Sequence, residues 1–146
     1  MLVFELLILS YFLYVVAYTT LFSIGGLFYK SPTENKTPIF KKFCVLIPCY
    51  KEDIVILDVA KKALEQCYPI EFYTVVVIAD SLQPGTIVNL RELTIEVIEV
   101  HFESSTKVKS LNHALQALGN DFDYAVILDA DNVMEYSFLE IINKSF

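Results

Sequence analysis

The sequence predicts an α/β protein in which an N-terminal transmembrane helix precedes a partial, Rossmann-like parallel sheet with helices on both faces. Two observations indicate this fold class. Residues 6–29 form a run of 24 residues without a charged side chain. From residue 43 onward, short apolar runs alternate with segments whose apolar residues recur at helical spacing. Such alternation, with strands that are apolar almost throughout, is typical of parallel sheets covered by helices on both sides.

The uncharged run at 6–29 predicts a helix that crosses a membrane. Its helical length is ~36 Å at ~1.5 Å per residue, and a hydrocarbon core of ~30 Å needs about 20 apolar residues. A buried core helix and a signal peptide are the alternatives. The run is long for a core helix, the chain begins with the acidic stretch MLVFE, and no small-residue cleavage site follows. We therefore predict a retained membrane helix over residues 1–29.

Lysines after the helix predict its orientation. No lysine or arginine precedes the apolar run, and four lysines follow it, at Lys30, Lys36, Lys41 and Lys42. Positive residues stay on the cytoplasmic side, so residues 30–42 are predicted to form a basic juxtamembrane linker against the anionic headgroups of the lipid bilayer. The protein is expected in the cell membrane, with a single pass in this chain and with the soluble part, residues 43–146, in the cytoplasm.

The distribution of charge excludes one class of partner. The net charge is −7, and residues 1–42 contribute +2, so the remainder carries −9. An acidic soluble part offers no basic stripe to the phosphates of a nucleic acid. We therefore expect no nucleic-acid partner.

The three cysteines, Cys44, Cys49 and Cys67, contain no C-x-x-C pair. Cys44 and Cys49 lie an odd number of positions apart on one predicted strand, so their side chains should point to opposite faces of the sheet. A zinc site is not expected, and reduced thiols are the normal state in the cytoplasm.

The soluble part is predicted to alternate four strands with four helices. Strands are expected at 43–48, 73–80, 94–101 and 124–131, and helices at 53–66, 83–93, 105–118 and from 135 onward. The third strand alternates apolar and acidic residues, which suits a sheet edge, whereas the first, second and fourth are expected to be buried. The predicted strand order is 3-2-1-4.

Two of the helices have a predicted buried face. In the helix at 53–66, Asp53 is expected to be the N-cap, and the face consists of Ile54, Leu57, Ala60 (or Lys61) and Leu64. In the helix at 105–118, which Gly119 should end, the face consists of Val108, Leu111, Leu115 and Leu118.

Acidic residues follow several of the predicted strands. Carboxyl ends of parallel strands meet at one edge of a sheet, where ligands bind. Glu52 follows the first strand, Asp80 ends the second, and Asp129 and Asp131 end the fourth. Converging carboxylates repel one another, and Mg²⁺ or Mn²⁺ relieves this by binding one or two carboxylates together with substrate phosphates. The alternative for Asp129 and Asp131 is a solvated loop pair, or a cap in which Asp131 begins a helix after residue 132.

Four segments resemble motifs of one enzyme family. They are VLIPCYKE at 45–52, VVVIADS at 75–81, KVKSLNHAL at 107–115 and LDAD at 128–131. Their order and spacing resemble the N-terminal half of family 2 glycosyltransferases of the GT-A fold. Three positions depart from the family pattern: Lys51 replaces an asparagine, Thr106 stands where glycine often precedes the lysine, and Ser81 follows the aspartate in place of glycine.

The resemblance implies a site for a nucleotide-sugar donor, with a UDP-sugar expected. It implies that Asp80 and Asp129 contact the nucleoside and that Asp131 ligates a divalent cation, Mg²⁺ or Mn²⁺, beside the diphosphate. It further implies that Lys107 lies near the nucleotide and that the nucleotide pocket is shaped by Pro48, Tyr50 and Glu52.

The expected function is that of a membrane-anchored glycosyltransferase with an inverting mechanism and an unknown acceptor. In the family, the carboxylate that acts as general base lies well beyond L-D-x-D. We therefore expect a truncated domain that holds the donor half-site, no catalytic base and little activity of its own. The acceptor half is expected on further polypeptide or on a partner chain.

Two alternatives come from other classes of protein. The stretch DADNV at 129–133 fits the D-x-D-x-[TV] motif of haloacid-dehalogenase-type phosphatases, although that motif normally closes an early strand. The other alternative is a non-catalytic or decayed membrane protein that uses the half-domain as an interaction module.

Overall fold

The computed structural model describes residues 2–29 and 39–145. The chain divides into two compact units, Met1–Lys36 and Thr37–Phe146. Most of the predicted basic linker, residues 30–38, lies outside the described residues. Its last two lysines belong to the second unit, where the backbone amide of Lys41 donates to the Tyr68 hydroxyl at 2.9 Å and that of Lys42 to Asp123 Oδ2 at 2.8 Å.

The first unit contains one long helix, α1, over Leu2–Leu27. It is long and apolar enough to cross a membrane, and none of its described side chains is buried. That exposure differs from a core helix, whose apolar side chains are covered by protein. Length and composition are shared with signal sequences, so the membrane crossing itself stays a prediction.

The second unit is a parallel α/β sheet with helices on both faces, as predicted. Its strands are β1 (Phe43–Tyr50), β2 (Tyr73–Asp80), β3 (Glu96–Val100) and β4 (Tyr124–Ile127). Its helices are α2 (Ile56–Leu64), α3 (Pro84–Arg91), α4 (Lys107–Leu118) and α5 (Phe138–Asn143), with a 3₁₀ turn at Ile70–Phe72. The strand order is β3-β2-β1-β4 with every pair parallel, which confirms the predicted order.

The central strands β1 and β2 are buried on both faces because alternate side chains enter two separate apolar layers. One layer contains Val45 and Ile47 and is covered by α2, α3 and α5. The other contains Leu46 and is covered by α4. Cys49 lies in the first layer and Cys44 in the second, which confirms their predicted opposite orientation.

Helix α2 begins three residues later than predicted, and Asp53 is not its cap. The N-cap position is Val55, without a side-chain hydrogen bond. Asp53 Oδ1 instead accepts from the amide of Gln83 at 2.8 Å, at the start of α3. Hydrogen bonds from Thr86 and then from Gln83 hold the pKa of Asp53 below its ordinary value. Asp53 therefore ties the segment after β1 to the start of α3.

The later start changes which side chains of α2 are buried. Ile54, expected in the buried face, precedes the helix and is 93% exposed. The buried residues are Ile56, Val59, Ala60 and Ala63, and the predicted Leu57 and Leu64 pack partly buried beside them.

Helix α4 also differs from its predicted face. Val108 is 66% exposed and Leu115 is exposed, while Leu111 and Leu118 pack partly buried. Ser110 and Ala114 are the buried residues of this helix. Their small side chains allow the helix backbone to lie close to the sheet, so the contact is centred on them and the larger apolar residues fall to its sides.

Strand β4 is shorter and more exposed than predicted. It ends at Ile127 rather than at residue 131, and it occupies one edge of the sheet, where Ile127 is exposed. The amide of Leu128 still donates to the Leu46 carbonyl at 2.9 Å. Past this bond the chain turns away, and the amide of Asn132 donates to the Asp129 carbonyl at 3.0 Å.

We predict that Leu139→Ala lowers the free energy of unfolding of the second unit by about 2–5 kcal/mol, because it empties a fully buried position. Leu139 is 0% exposed, and its amide donates to the buried Gln66 Oε1 at 3.3 Å. The matched control is Ile141→Ala on the same helix, at a residue that is 55% exposed. Urea unfolding, monitored through the hydrogen exchange of amides in β1 and β2, measures the free energy of unfolding of both variants. Equal destabilisation by the two substitutions would contradict the packing of α5.

Candidate functional site

A cavity of about 350 Å³ lies at the carboxyl ends of β1, β2 and β4, beside the start of α4. All seven site residues predicted from the sequence line it: Pro48, Tyr50, Glu52, Asp80, Lys107, Asp129 and Asp131. The structure therefore brings together side chains that are up to 83 positions apart in the sequence. Their individual roles stay predictions.

The register of β1 and β2 fixes the floor of the cavity. Tyr50 and Asp80 are partners in the parallel ladder and are the last residues of their strands. The next residue on each strand has a left-handed backbone, with φ 56° at Lys51 and 57° at Ser81. The Lys51 amide donates to the Asp80 carbonyl at 3.1 Å, so the two turns support each other. Left-handed backbone at residues other than glycine costs on the order of 1–3 kcal/mol and occurs preferentially at functional sites.

Asp80 is a buried carboxylate with one unused oxygen. Its side chain is 1% exposed, and Oδ1 accepts from the Ser81 hydroxyl at 3.0 Å. Oδ2 is buried and accepts no hydrogen bond from any residue that the structure describes. A buried acceptor without a donor costs about 1–3 kcal/mol. Because Asp80 lines the cavity, a ligand with an N–H or O–H group could supply the missing donor.

Lys107, the first residue of α4, forms an ion pair with Asp129 Oδ1 across the cavity. Both side chains are about half exposed, so the pair contributes at most about 1 kcal/mol to stability. The preceding residue, Thr106, is the N-cap of α4, and its hydroxyl accepts from the amide of Lys109 at 3.3 Å. This cap fixes where α4 begins and thereby places Lys107 opposite the end of β4.

Asp131 is exposed in the turn after β4 and does not cap a helix, because the next helix begins at Phe138. The cap alternative for this residue is therefore wrong. Within residues 2–29 and 39–145, no group of three or more histidine, cysteine, aspartate or glutamate side chains could hold a metal by itself. Mg²⁺ and Mn²⁺ often take one or two carboxylates and complete their shell with phosphate oxygens and water. The donor set of Asp131 beside a paired Asp129 fits a cation shared with a phosphate ligand.

Tyr50 presents a half-exposed aromatic ring to the cavity. The Nζ of Lys51 lies 4.9 Å from the ring centroid. The Tyr50 hydroxyl holds the pKa of Lys51 above its ordinary value. Lys51, which replaces the asparagine of the family motif, therefore places a cation beside the Tyr50 ring.

Several lining residues were not predicted from the sequence. Ser105, Thr106 and Ser110 line the cavity around the start of α4. Ser81, which contacts the lining residue Asp80, was noticed only as a departure from the family pattern. A polar residue at the position after a strand-ending aspartate is the signal that could have identified it, because its hydroxyl can reach the preceding carboxylate.

The family model described as "Glycosyltransferase like family 2" matches residues 41–146. The chain belongs to this family. The match extends over the entire sheet, including the DADNV stretch, so the phosphatase hypothesis is wrong. Comparison with curated protein sequences gives no significant match.

Solved structures that share this fold include a mannosyltransferase and the protein TarS. The mannosyltransferase PcManGT from Pyrobaculum calidifontis, in complex with GDP-Man and Mn²⁺, aligns with a TM-score of 0.63 and 23% identity, over 82% of this chain and 36% of that chain. TarS from S. aureus aligns with a TM-score of 0.57 and 21% identity, over 69% of this chain and 18% of that chain. The TarS 1–349 structure in complex with UDP aligns with a TM-score of 0.56 and 21% identity, over 69% of this chain and 30% of that chain. The present chain therefore spans about a third or less of the length of these solved chains.

We predict that Cys67 is alkylated quickly at pH 8, whereas Cys44 and Cys49 stay unmodified. Burial raises the pKa of both Cys44 and Cys49 to about 11, so roughly one thiol in a thousand is a thiolate at pH 8. Cys67 is exposed. Mass spectrometry after iodoacetamide treatment of the folded chain should find one adduct, absent from Cys67→Ser. Rapid labelling of Cys49 under native conditions would show that the cavity wall is more open than described.

Proposed function

We propose that the protein is a glycosyltransferase that takes a sugar from a nucleotide-diphosphate donor, and that this chain forms the donor half of the site. The observation that carries the proposal is Asp80, a buried carboxylate that lines a cavity together with Asp129 and Asp131 and whose Oδ2 accepts no hydrogen bond from the described residues. A nucleotide supplies what each wall lacks. Its base offers hydrogen-bond donors to Asp80, and its diphosphate, with a cation, offsets the carboxylates opposite.

The proposed roles follow from the position of each side chain. Asp80 accepts a hydrogen bond from the base, and the Tyr50 ring provides an apolar surface beside it. Lys107 faces the diphosphate while it holds Asp129 in place. Asp131 binds Mg²⁺ or Mn²⁺ together with the diphosphate, and the cation would neutralise charge on the departing nucleotide. PcManGT, whose structure contains GDP-Man and Mn²⁺, and TarS, whose structure contains UDP, support this class of ligand through their shared fold.

Sugar transfer additionally needs a base for the acceptor hydroxyl. We assign no residue of this chain to that step. Glu135 and Glu140 do not line the cavity, and the Glu140 carboxylate pairs with Lys144. In our proposal the acceptor half provides the base, either on further polypeptide or on a partner chain, and transfer inverts the anomeric carbon.

We further propose that α1 anchors the protein in the cell membrane. The support is its length of 26 residues, its apolar composition and the absence of burial among its described side chains. The lysines at 30, 36, 41 and 42 favour a cytoplasmic location for the donor half, where they meet anionic lipids. An anchored donor half would hold the site near acceptors that lie in or at the bilayer.

We predict that the full chain stays in the membrane pellet after extraction with alkaline carbonate, and that deletion of residues 2–27 releases it into the supernatant. A spanning helix buries far more apolar surface than a peripheral contact and resists such extraction. A cysteine-reactive probe that cannot cross membranes should label Cys67 only after the cells are opened. Release of the full chain by carbonate would overturn the anchor, and labelling of intact cells would overturn the orientation.

We predict that Asp131→Ala abolishes the part of nucleotide binding that depends on metal. Isothermal titration of the full chain in detergent should show that UDP binds at least about tenfold more tightly with Mn²⁺ than with EDTA, since the cation joins the diphosphate to the carboxylate. In Asp131→Ala the two affinities should become equal.

The matched control is Asp121→Ala, which removes an exposed carboxylate outside this cavity. It should keep the full effect of Mn²⁺. If Asp131→Ala keeps it as well, the assignment of the metal ligand is wrong. If no nucleoside diphosphate binds the wild-type chain under any condition, the proposed function is wrong.

A further inference from the structure

Ser81 holds one oxygen of Asp80 from an uncommon backbone conformation. Its φ is 57°, in the left-handed region that favours glycine. From this position its hydroxyl donates to Asp80 Oδ1 at 3.0 Å. Glycine would adopt the same backbone at lower cost, but it has no hydroxyl to make the contact. The contact therefore distinguishes this site from one in which glycine follows the aspartate.

The contact divides the two oxygens of Asp80 between protein and ligand. Oδ1 is engaged by Ser81, whereas Oδ2 is buried without a donor among the described residues. A carboxylate with both oxygens free can accept two parallel N–H bonds side by side. Each carboxylate oxygen can accept two hydrogen bonds, so Oδ1 can still accept a second donor, but that donor has to share the oxygen with the Ser81 hydroxyl. Oδ2 is the oxygen that no described residue shares.

Nucleobases differ in the number of adjacent donors that they present. Uracil has one N–H on its pairing edge, flanked by two carbonyl groups. Guanine has two neighbouring donors, the ring N1–H and the exocyclic amino group, which match a carboxylate with two free oxygens. A guanine at Asp80 would leave one donor competing with the Ser81 hydroxyl. A donor that shares its acceptor is only partly satisfied, and an incompletely satisfied buried donor weakens binding.

We propose that Ser81 is a specificity-determining residue that selects uracil over guanine in the donor nucleotide. It acts by occupying Asp80 Oδ1, so that the base recognised through Oδ2 is the one with a single donor. This inference rests on the proposed function, since it assumes that a nucleotide base reaches Asp80.

The test compares the affinities of UDP and GDP, each with Mn²⁺, for the full chain in detergent. The wild-type chain should bind UDP about tenfold more tightly than GDP, or better. Ser81→Ala frees Oδ1 and keeps a methyl group at the same position. It should therefore strengthen GDP binding and reduce the ratio of the UDP affinity to the GDP affinity at least about threefold. The matched control is Ser104→Ala, at an exposed serine outside the cavity, which should keep the wild-type ratio.

This affinity ratio distinguishes selection of the base from a loss of structure, because a distorted cavity weakens the binding of both nucleotides alike. Equal weakening by Ser81→Ala would assign Ser81 a structural role and overturn the inference. Equal affinities of the wild-type chain for GDP and UDP would also overturn the inference. Binding of either nucleotide would nevertheless uphold the proposed function. Asp80→Asn is the second variant, and unchanged UDP affinity there would show that the base does not meet Asp80. Failure of both nucleotides to bind the wild-type chain would overturn the proposed function together with the inference.

Discussion

The candidate site depends on the parallel pairing of β1 with β2, in which Tyr50 and Asp80 are the last partners. These two strands are buried on both faces, so neither can shift along the other without exposing its apolar side chains. The pairing places two left-handed turns, at Lys51 and Ser81, side by side at one end of the sheet. From those turns follow the burial of Asp80, the position of its free oxygen and the direction of the chain towards α2 and α3.

The charges of the cavity are arranged so that its ligand completes them. Lys107 neutralises part of the charge of Asp129, whereas Asp131 remains open to solvent and Asp80 Oδ2 has no donor among the residues that the structure describes. An isolated anion would be repelled by these carboxylates. A phosphate that arrives with a divalent cation brings a charge that Asp131 can bind, and a base brings the donor that Asp80 lacks. The geometry thus favours a ligand that carries both groups at its two ends.

Much of the sheet and of the rim was predictable from the sequence, because apolar strands that alternate with helices leave few arrangements. The position of Asp80 and Asp131 at one cavity follows from that topology. What the sequence did not reveal depends on contacts between distant segments. Asp53 looked like a cap for α2, but its carboxylate reaches Gln83, and α2 then starts later with a different buried face. The close contact of α4 through Ser110 and Ala114 was missed because periodicity weighs large apolar residues and overlooks small ones.

The position of β4 at the sheet edge makes the two walls of the cavity unequal in stiffness. Asp80 ends an eight-residue strand with neighbours on both sides, whereas Asp129 and Asp131 follow a four-residue strand that pairs with β1 alone in the described part of the chain. Short edge segments open locally at low free energy. In the proposed complex, the wall assigned to the base is therefore set before a ligand arrives, and the wall assigned to the diphosphate takes its final geometry as the ligand and its cation bind.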